Sequence, residues 1–205
     1  MANTIKYAFR LTHIENIPCV LRCGLVRANS PLRDENYVSI GDRQVIQLRE
    51  ERLVQGYRLS DYVPFYFGPR SPMLYVIQHG YNRVQRIGPE QIVYCVVRIE
   101  DLVHDGIDGI FTDGHALSGL SSFFDIQKLS QVNDYVSWDD VYSTQWNVES
   151  DIDLKRRKEA ELLINVDLPA QYIRGFVVYN ERAKARLEEM GVKAAMIAVR
   201  PKYYF

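Results

Sequence analysis

The sequence contains no G-x-G-x-x-G stretch and no G-x-x-x-x-G-K-[ST] loop. The two strong signatures of a phosphate cradle at a helix N-terminus are therefore missing, and a nucleotide site built on either turn is excluded. H-E-x-x-H and paired C-x-x-C are also absent, and no metal is expected. Cysteine is scarce: Cys19, Cys23 and Cys95 make an odd number without metal-ligand spacing, which reads as reduced thiols in a cytoplasmic protein. No run approaches the ~18 apolar residues that span a bilayer, and "MANTIKYAFR" lacks the apolar stretch of a signal peptide. No membrane association is expected. An excess of one charge is lacking too. With 25 Lys and Arg against 26 Asp and Glu, no global basic field announces a nucleic acid, although a neutral total leaves room for a local patch.

What is present is an ordinary globular composition, 47% hydrophobic and 25% charged over 205 residues. No repeat, low-complexity tract or linker interrupts it, so a single domain over 1–205 is the simplest division. Residues 5–11 alternate and read as a strand. A helix follows, with Thr12 as its N-cap and Gly24 as its stop. The long excursion 27–60 contains a short helix over 43–54. Residues 90–99 form the clearest buried strand, and 109–116 a strand running into a turn. A second excursion covers 117–150, then comes a helical stretch over 151–161 and a strand-like "LLINVDLP". "YIRGFVVYN" is a strand, a helix capped by Asn180 and ended by Gly191 follows, and "AAMIAVRPKYYF" closes as a strand. The order is mixed rather than βαβ, which predicts an α+β fold with mostly antiparallel strands.

The segment "DYVPFYFGPRSPMLY" (61–75) is unusual because it combines dense aromatics with Pro64, Pro69 and Pro72. Proline removes a ladder donor, so Pro64 belongs at an edge or bulge. Ser71 and Pro72 then open a helix that Gly80 stops. Alternation places Tyr66 on the face opposite Phe65 and Phe67. Among the histidines, His13, His79 and His104 suit caps and helix ends. His115, in "FTDGHA", sits where a strand meets a turn, a place that presents catalytic groups. Glu161 precedes an apolar strand, and its ordinary reading is a solvated charge. "KRRK" (155–158) reads as a solvated helix face, and Arg49 as part of a surface helix with internal ion pairs. From the residues alone the chain is an α+β domain, an enzyme or a binding module.

Several motifs, in order, resemble those of the DarT family, the DNA ADP-ribosyltransferase toxins of bacterial toxin–antitoxin pairs. "DYVPFYFGPRSPM" is similar to that family's "DYVPFYF-x-P-x-SPM". "RLTHIENIPCVLRCGL" looks like its first strand and helix, and "NSPLRDENYVSIGDRQVIQLR" like its NAD-binding loop. "GIFTDGHA" looks like its "FTD-x-H" turn, "RRKEAELLI" like its glutamate segment and "VRPKYYF" like its aromatic C-terminus. The likeness covers essentially the whole chain. It departs at Glu159, where Gln is common, and before Asp61, which is poorer in glycine and proline than some relatives.

The resemblance implies an ADP-ribosyltransferase-type fold, two facing mostly antiparallel sheets with an NAD cleft. NAD would be a co-substrate and no metal would be needed. Arg49, Glu161 and His115 would be catalytic. Arg10, Leu11, Thr12, Cys19, Arg27, Arg49, Tyr66 and Met73 would contact NAD. The acceptor would be a base of single-stranded DNA, thymidine by the closeness of the motifs; the alternatives are guanosine, RNA, protein, or a non-catalytic NAD or nucleic-acid binding module. The presence of both Arg49 and Glu161 speaks against the last. Trp138 and Trp146 would stack a base or pack helix on loop. Arg43, Arg49, Arg52, Arg58, Arg83 and Arg86 would supply a positive rim that the net charge hides. The expected protein is a monomer with a cognate macrodomain antitoxin.

Overall fold

The computed structural model describes residues 3–205. In chain order its regular elements are β1 (Tyr7–His13), α1 (Ile17–Cys23), α2 (Arg43–Glu51), β2 (Leu53–Val54), β3 (Tyr57–Arg58), β4 (Val63–Tyr66), α3 (Pro72–His79), β5 (Ile92–Arg98), α4 (Ile99–His104), β6 (Gly109–Thr112), β7 (Phe123–Asp125), α5 (Trp138–Tyr142), α6 (Leu154–Lys158), β8 (Glu161–Ile164), β9 (Ile173–Val178), α7 (Glu181–Glu189) and β10 (Ile197–Val199). Among the described residues no helix is long and apolar enough to cross a membrane.

Eight strands pair in the order β10-β9-β5-β1-β4-β8-β6-β7, and β2 with β3 form a separate ribbon. Every neighbouring pair of the large sheet is antiparallel except β9 with β10. The two expected sheets are thus joined into one ladder, but barely. β1 pairs with β5 along its whole length, from Tyr7↔Arg98 to His13↔Ile92. It meets β4 only at Phe9↔Tyr66. In that antiparallel register the next bonded position would set Leu11 against Pro64, which has no N–H to give. The ladder stops there and the two half-sheets part, which is where the cleft begins.

The apolar run of β5 is explained by burial on both faces. Val93, Cys95 and Val97 join a core with Ala8, Phe65, Phe67, Phe111 and Leu162. Ile92 and Tyr94 join a second core with Phe9, Leu74, Ile77 and Tyr204. The alternation in β4 holds as expected, with Phe65 buried and Tyr66 half-buried. The α3 signals also act as read. Ser71 Oγ accepts from Leu74 N at 3.2 Å, Pro72 is the first helical residue, and Gly80 ends the helix at φ +73°.

Three expectations change. Thr12 does not cap a helix: the β1–β5 ladder carries it into the sheet, where it is 1% exposed. His13 caps instead, its Nδ1 accepting from Glu15 N at 3.2 Å at the start of a 3-10 turn. The first helix therefore begins at Ile17 and ends at Gly24, where φ is +80° and a Cβ would lie 2.1 Å from Leu168 O. Finally, the closing strand is only Ile197–Val199, because Pro201 starts a 3-10 turn rather than continuing the ladder.

Candidate active site

Glu161 opens β8 directly across from Tyr66, the residue that links the two half-sheets. It is not a solvated end-of-strand charge. Its side chain is 1% exposed; Oε1 accepts from Ala116 N at 3.0 Å and Oε2 from Arg49 Nη1 at 2.9 Å. Thr112 Oγ1 accepts from its backbone N at 3.0 Å, fixing the start of the strand. The FTDGHA turn folds back over the strand end and supplies the amide, so burial is accompanied by the hydrogen bonds that a carboxylate requires.

Arg49 departs from its sequence reading as well. Helix α2 buries no residue fully, yet the Arg49 side chain turns inward and is 12% exposed. The side-chain hydrogen bond within α2 runs from Gln47 Nε2 to Glu51 Oε1 at 3.3 Å and leaves Arg49 to the cleft. Arg49 Nη2 is buried and has no partner among the described residues. A buried donor without an acceptor is costly, and it marks where a bound group would be taken up.

The cleft around this pair is lined by Arg10 and Leu11 from β1, Pro64 and Tyr66 from β4, and Met73 and Ile77 from α3. Arg33, Tyr37 and Ile40 of the 26–42 loop close the other side. Arg10 Nη1 donates to Pro64 O at 3.1 Å, using the carbonyl beside the ladder break. Two roomier hollows, of about 720 and 480 Å³ against 230 Å³ for the cleft, lie elsewhere. Neither contains the Arg49–Glu161 pair.

Of the residues singled out from sequence, Arg10, Leu11, Arg49, Tyr66, Met73 and Glu161 come together here. Thr12, Cys19 and Arg27 do not line the cleft. Thr12 Oγ1 accepts from Asn16 Nδ2 at 3.0 Å, and Asn16 in turn clasps both backbone groups of Val38 in the loop. Cys19 is buried in α1, and burial pushes its thiol up. Arg27 is pegged to Asp167, through its backbone N at 2.8 Å and Nε at 3.3 Å. Thr12 and Arg27 thus brace the loop rather than the cleft. His115 lies just outside the lining, one residue before the amide that binds Glu161. Burial lowers its imidazole below the usual value; the Glu161 charge opposes this and Arg49 adds to it. Burial, then the Glu161 charge, holds the Tyr66 phenol well above its usual value.

The charge run before Glu161 is not a solvated helix face. Only Lys155 of the run is exposed; Arg156 and Arg157 are partly buried and paired, the first with Asp113 and Asp153, the second with Asp140, Asp151 and Asp153. Lys158 is 1% exposed and donates to Val141 O at 3.0 Å and Pro69 O at 3.3 Å, its amine pushed down to about 8 by burial. It ties the GPRSPM turn to α5. The same contact demands Gly68, where a Cβ would sit 2.1 Å from Val141 O. The interleaved aspartates of "DIDLKRRKE" were the available signal that this run is bonded rather than solvated. In sequence Glu159 stands out only as a departure from the Gln of the family motif. It is buried, and burial pushes its carboxyl up to about 8. A protonated carboxyl carries a donor on one side and an acceptor oxygen on the other, in the same shape as an amide's NH2 and carbonyl. That accounts for an acid where Gln is common.

A buried carboxylate held by one amide and one guanidinium, with a second guanidinium nitrogen free, suits a reaction in which positive charge develops on a sugar. Among the described residues no group of His, Cys, Asp and Glu is arranged to hold a metal. Fold and site together define an enzyme of the ADP-ribosyltransferase class. Residues 9–205 match the profile of DarT, described as ssDNA thymidine ADP-ribosyltransferase, and the chain belongs to this family. A DNA ADP-ribosyl transferase of Escherichia coli is 32% identical over 186 residues, 88% of this chain and 84% of that protein. A fusion of DNA ADP-ribosyl transferase and DNA ADP-ribosyl glycohydrolase from Thermosipho africanus is 26% identical, over 88% of this chain and 44% of its own length. Thermus sp. 2.9 DarT in complex with ADP-ribosylated ssDNA superposes with a TM-score of 0.86 at 27% identity, all of both chains being covered. The same protein in complex with NAD+ gives 0.79 at 27% identity and the same coverage.

Proposed function

We propose that this chain transfers ADP-ribose from NAD to a thymidine base of single-stranded DNA and releases nicotinamide. The observation that carries the reading is the Arg49–Glu161 pair, buried at the parting of the half-sheets with Arg49 Nη2 unpartnered. NAD lies in the cleft between β1, β4, α3 and the 26–42 loop. Arg10, Arg33 and Arg49 meet its pyrophosphate, and Tyr66 and Met73 wall the nicotinamide end. The bond between the ribose C1′ and the nicotinamide nitrogen breaks, and its electron pair leaves with nicotinamide. Positive charge spreads over C1′ and the ring oxygen, where the Glu161 carboxylate stabilises it. The lone pair of the acceptor nitrogen forms the new bond to C1′, and its proton passes to Glu161. A carboxylate offers about four lone-pair sites. The contacts with Ala116 and Arg49 use two, so room remains for a ribose hydroxyl and that proton. His115, on the turn that supplies the Ala116 amide, faces the acceptor side.

Support for the activity comes from the family and from the Thermus relative, whose complexes contain NAD+ and ADP-ribosylated ssDNA. A fused glycohydrolase in the Thermosipho relative supports a partner that removes the modification, which fits a toxin with a macrodomain antitoxin. The test is to incubate the protein with NAD and equal amounts of single-stranded DNA, duplex DNA and RNA, then locate the added mass. One ADP-ribose on thymidine of the single strand is expected. Modification of RNA alone, or of guanosine alone, would overturn the assignment.

A further inference from the structure

Helix α3 has a second face. Met73 and Ile77 line the cleft, whereas Tyr75 and His79, two residues on and about 200° round the helix, do not. There they form an aromatic cluster that the proposed reaction does not use. The Tyr75 ring centroid lies 4.1 Å from His79, 5.6 Å from Tyr81, 5.6 Å from Trp146 and 5.0 Å from Phe205. His79 and Tyr81 are stacked within 7° of parallel. A cluster that only closed the core would bury its rings, yet His79 is exposed and Tyr81 is 50% exposed.

Arginines border these rings. The Arg70 guanidinium sits 4.2 Å over Phe205, with Nη1 donating to Tyr204 O at 2.8 Å and a buried Nε that has no partner. Arg86 Nε donates to Gln78 O at 3.2 Å, and Arg83 is exposed. None of the three forms an ion pair with a carboxylate among the described residues, whereas Arg98, Arg156, Arg157, Arg174 and Arg186 all do. Asp42, beside Asn82, caps α2, is 5% exposed and takes Asn82 Nδ2 at 3.5 Å. The backbone is strained here as well. Four non-glycine residues have positive φ among those described, and three of them, Arg70 (55°), Asn82 (54°) and Arg83 (60°), frame the patch. Such conformations are uncommon and costly, and persist where surrounding structure enforces them.

We infer that Tyr75, His79, Tyr81, Trp146 and Phe205, with Arg70, Arg83 and Arg86, form a platform for unstacked bases that flank the modified thymidine on single-stranded DNA. The inference rests on the proposed reading of the cleft and adds the surface that holds the rest of the strand. Aromatic faces take any unpaired base, and unpaired guanidiniums take the phosphates between them. Trp146 connects the two places, because it belongs to the chain segment that runs from the His115 turn to Glu161.

The test compares a thymidine-containing single strand of about 12 nucleotides with one of about 4, in binding by anisotropy and in modification. At ~1–3 kcal/mol per stacked base, Tyr81→Ser is expected to weaken binding of the longer strand by about 5- to 150-fold. The shorter strand and NAD affinity should be unaffected, and Tyr81→Trp should keep the longer-strand affinity. Arg83→Ser should reduce the salt dependence of longer-strand binding by about one counterion. Duplex DNA, whose bases are not free to stack, should compete poorly. Unchanged binding of the longer strand by Tyr81→Ser, or equal competition by duplex, overturns the platform. If Tyr81 governs binding but no thymidine is modified, the transfer reading falls and the platform stands.

Discussion

Glu159 and Glu161 are separated by one alanine, and both are buried. They are treated oppositely. Glu161 is given the Ala116 amide and the Arg49 guanidinium, which are the partners of an ion. Glu159 has no side-chain partner among the described residues, and burial drives its carboxyl up to about 8, so that it is mostly protonated at neutral pH. Two identical side chains on one short segment thus differ in the form that the fold provides for, and only Glu161 lines the cleft. Partners rather than burial decide which carboxylate can stabilise a cation.

Removing the charge that was provided for should have the largest effect. Glu161→Gln keeps size and some hydrogen bonding but loses both the anion and the base. Losses of ~10²–10³ for an electrostatic group and ~10²–10⁴ for a general base set the scale of the expected fall in transfer. NAD affinity should stay within a few-fold, because the charge matters while the glycosidic bond breaks. Near-normal modification of DNA by this variant would break the comparison at once.

Arg49 is the next lever, and it acts on stability as well as rate. Arg49→Ala leaves Glu161 buried with the Ala116 amide alone, at a cost of roughly 1–3 kcal/mol. Thermal melts should show this loss, and the double variant Arg49→Ala, Glu161→Gln should recover much of it, since the stranded charge is gone. Additive losses would mean that Arg49 stabilises through packing instead. Arg49→Lys should restore little activity, because a point charge cannot reproduce a fork with one nitrogen on Glu161 and one free.

His115→Ala should have a smaller effect, about tenfold, the worth of one positioned hydrogen bond. It should appear in transfer to DNA more than in NAD affinity. Equal loss in both would move His115 to the NAD side of Glu161.

How much of this was legible depended on the range of the interactions. The α3 cap of Ser71, Pro72 and Gly80 is local, and its residues declare it. So does the alternation of Phe65, Tyr66 and Phe67. The Arg49–Glu161 pair spans 112 residues and joins an outwardly polar helix to a strand end. Neither segment hints at the other, and only the family resemblance pointed to both. Thr12 suits a cap by residue type, but the same residue also fits a strand whose ladder continues, and pairing with β5 decides between them. The burial of Lys158 was hidden by its neighbours. Its carbonyl partners, Pro69 and Val141, come from two distant turns, and backbone acceptors leave no mark in sequence.

The subtlest effect concerns Glu159. Its folded value of about 8 lies above the ordinary 4.5, so the folded state holds a proton that the unfolded chain gives up. Below 4.5 both states are protonated and the group costs nothing. As pH rises from 4.5 to 8 the unfolded chain ionises first, and the stability of the wild type falls relative to a variant without the group. Above 8 both states are ionised and the deficit is constant. At 1.36 kcal/mol per pH unit its ceiling is roughly 5 kcal/mol. Glu159→Gln replaces a neutral acid by an amide of the same shape. It should therefore match the wild type in transfer at pH 6 within a few-fold, and its melting temperature should coincide with the wild type near pH 5. Between pH 5 and 8 the variant should become progressively the more stable. Melting curves that stay parallel across that range would show that Glu159 is ionised in the fold, and would make the two glutamates alike after all.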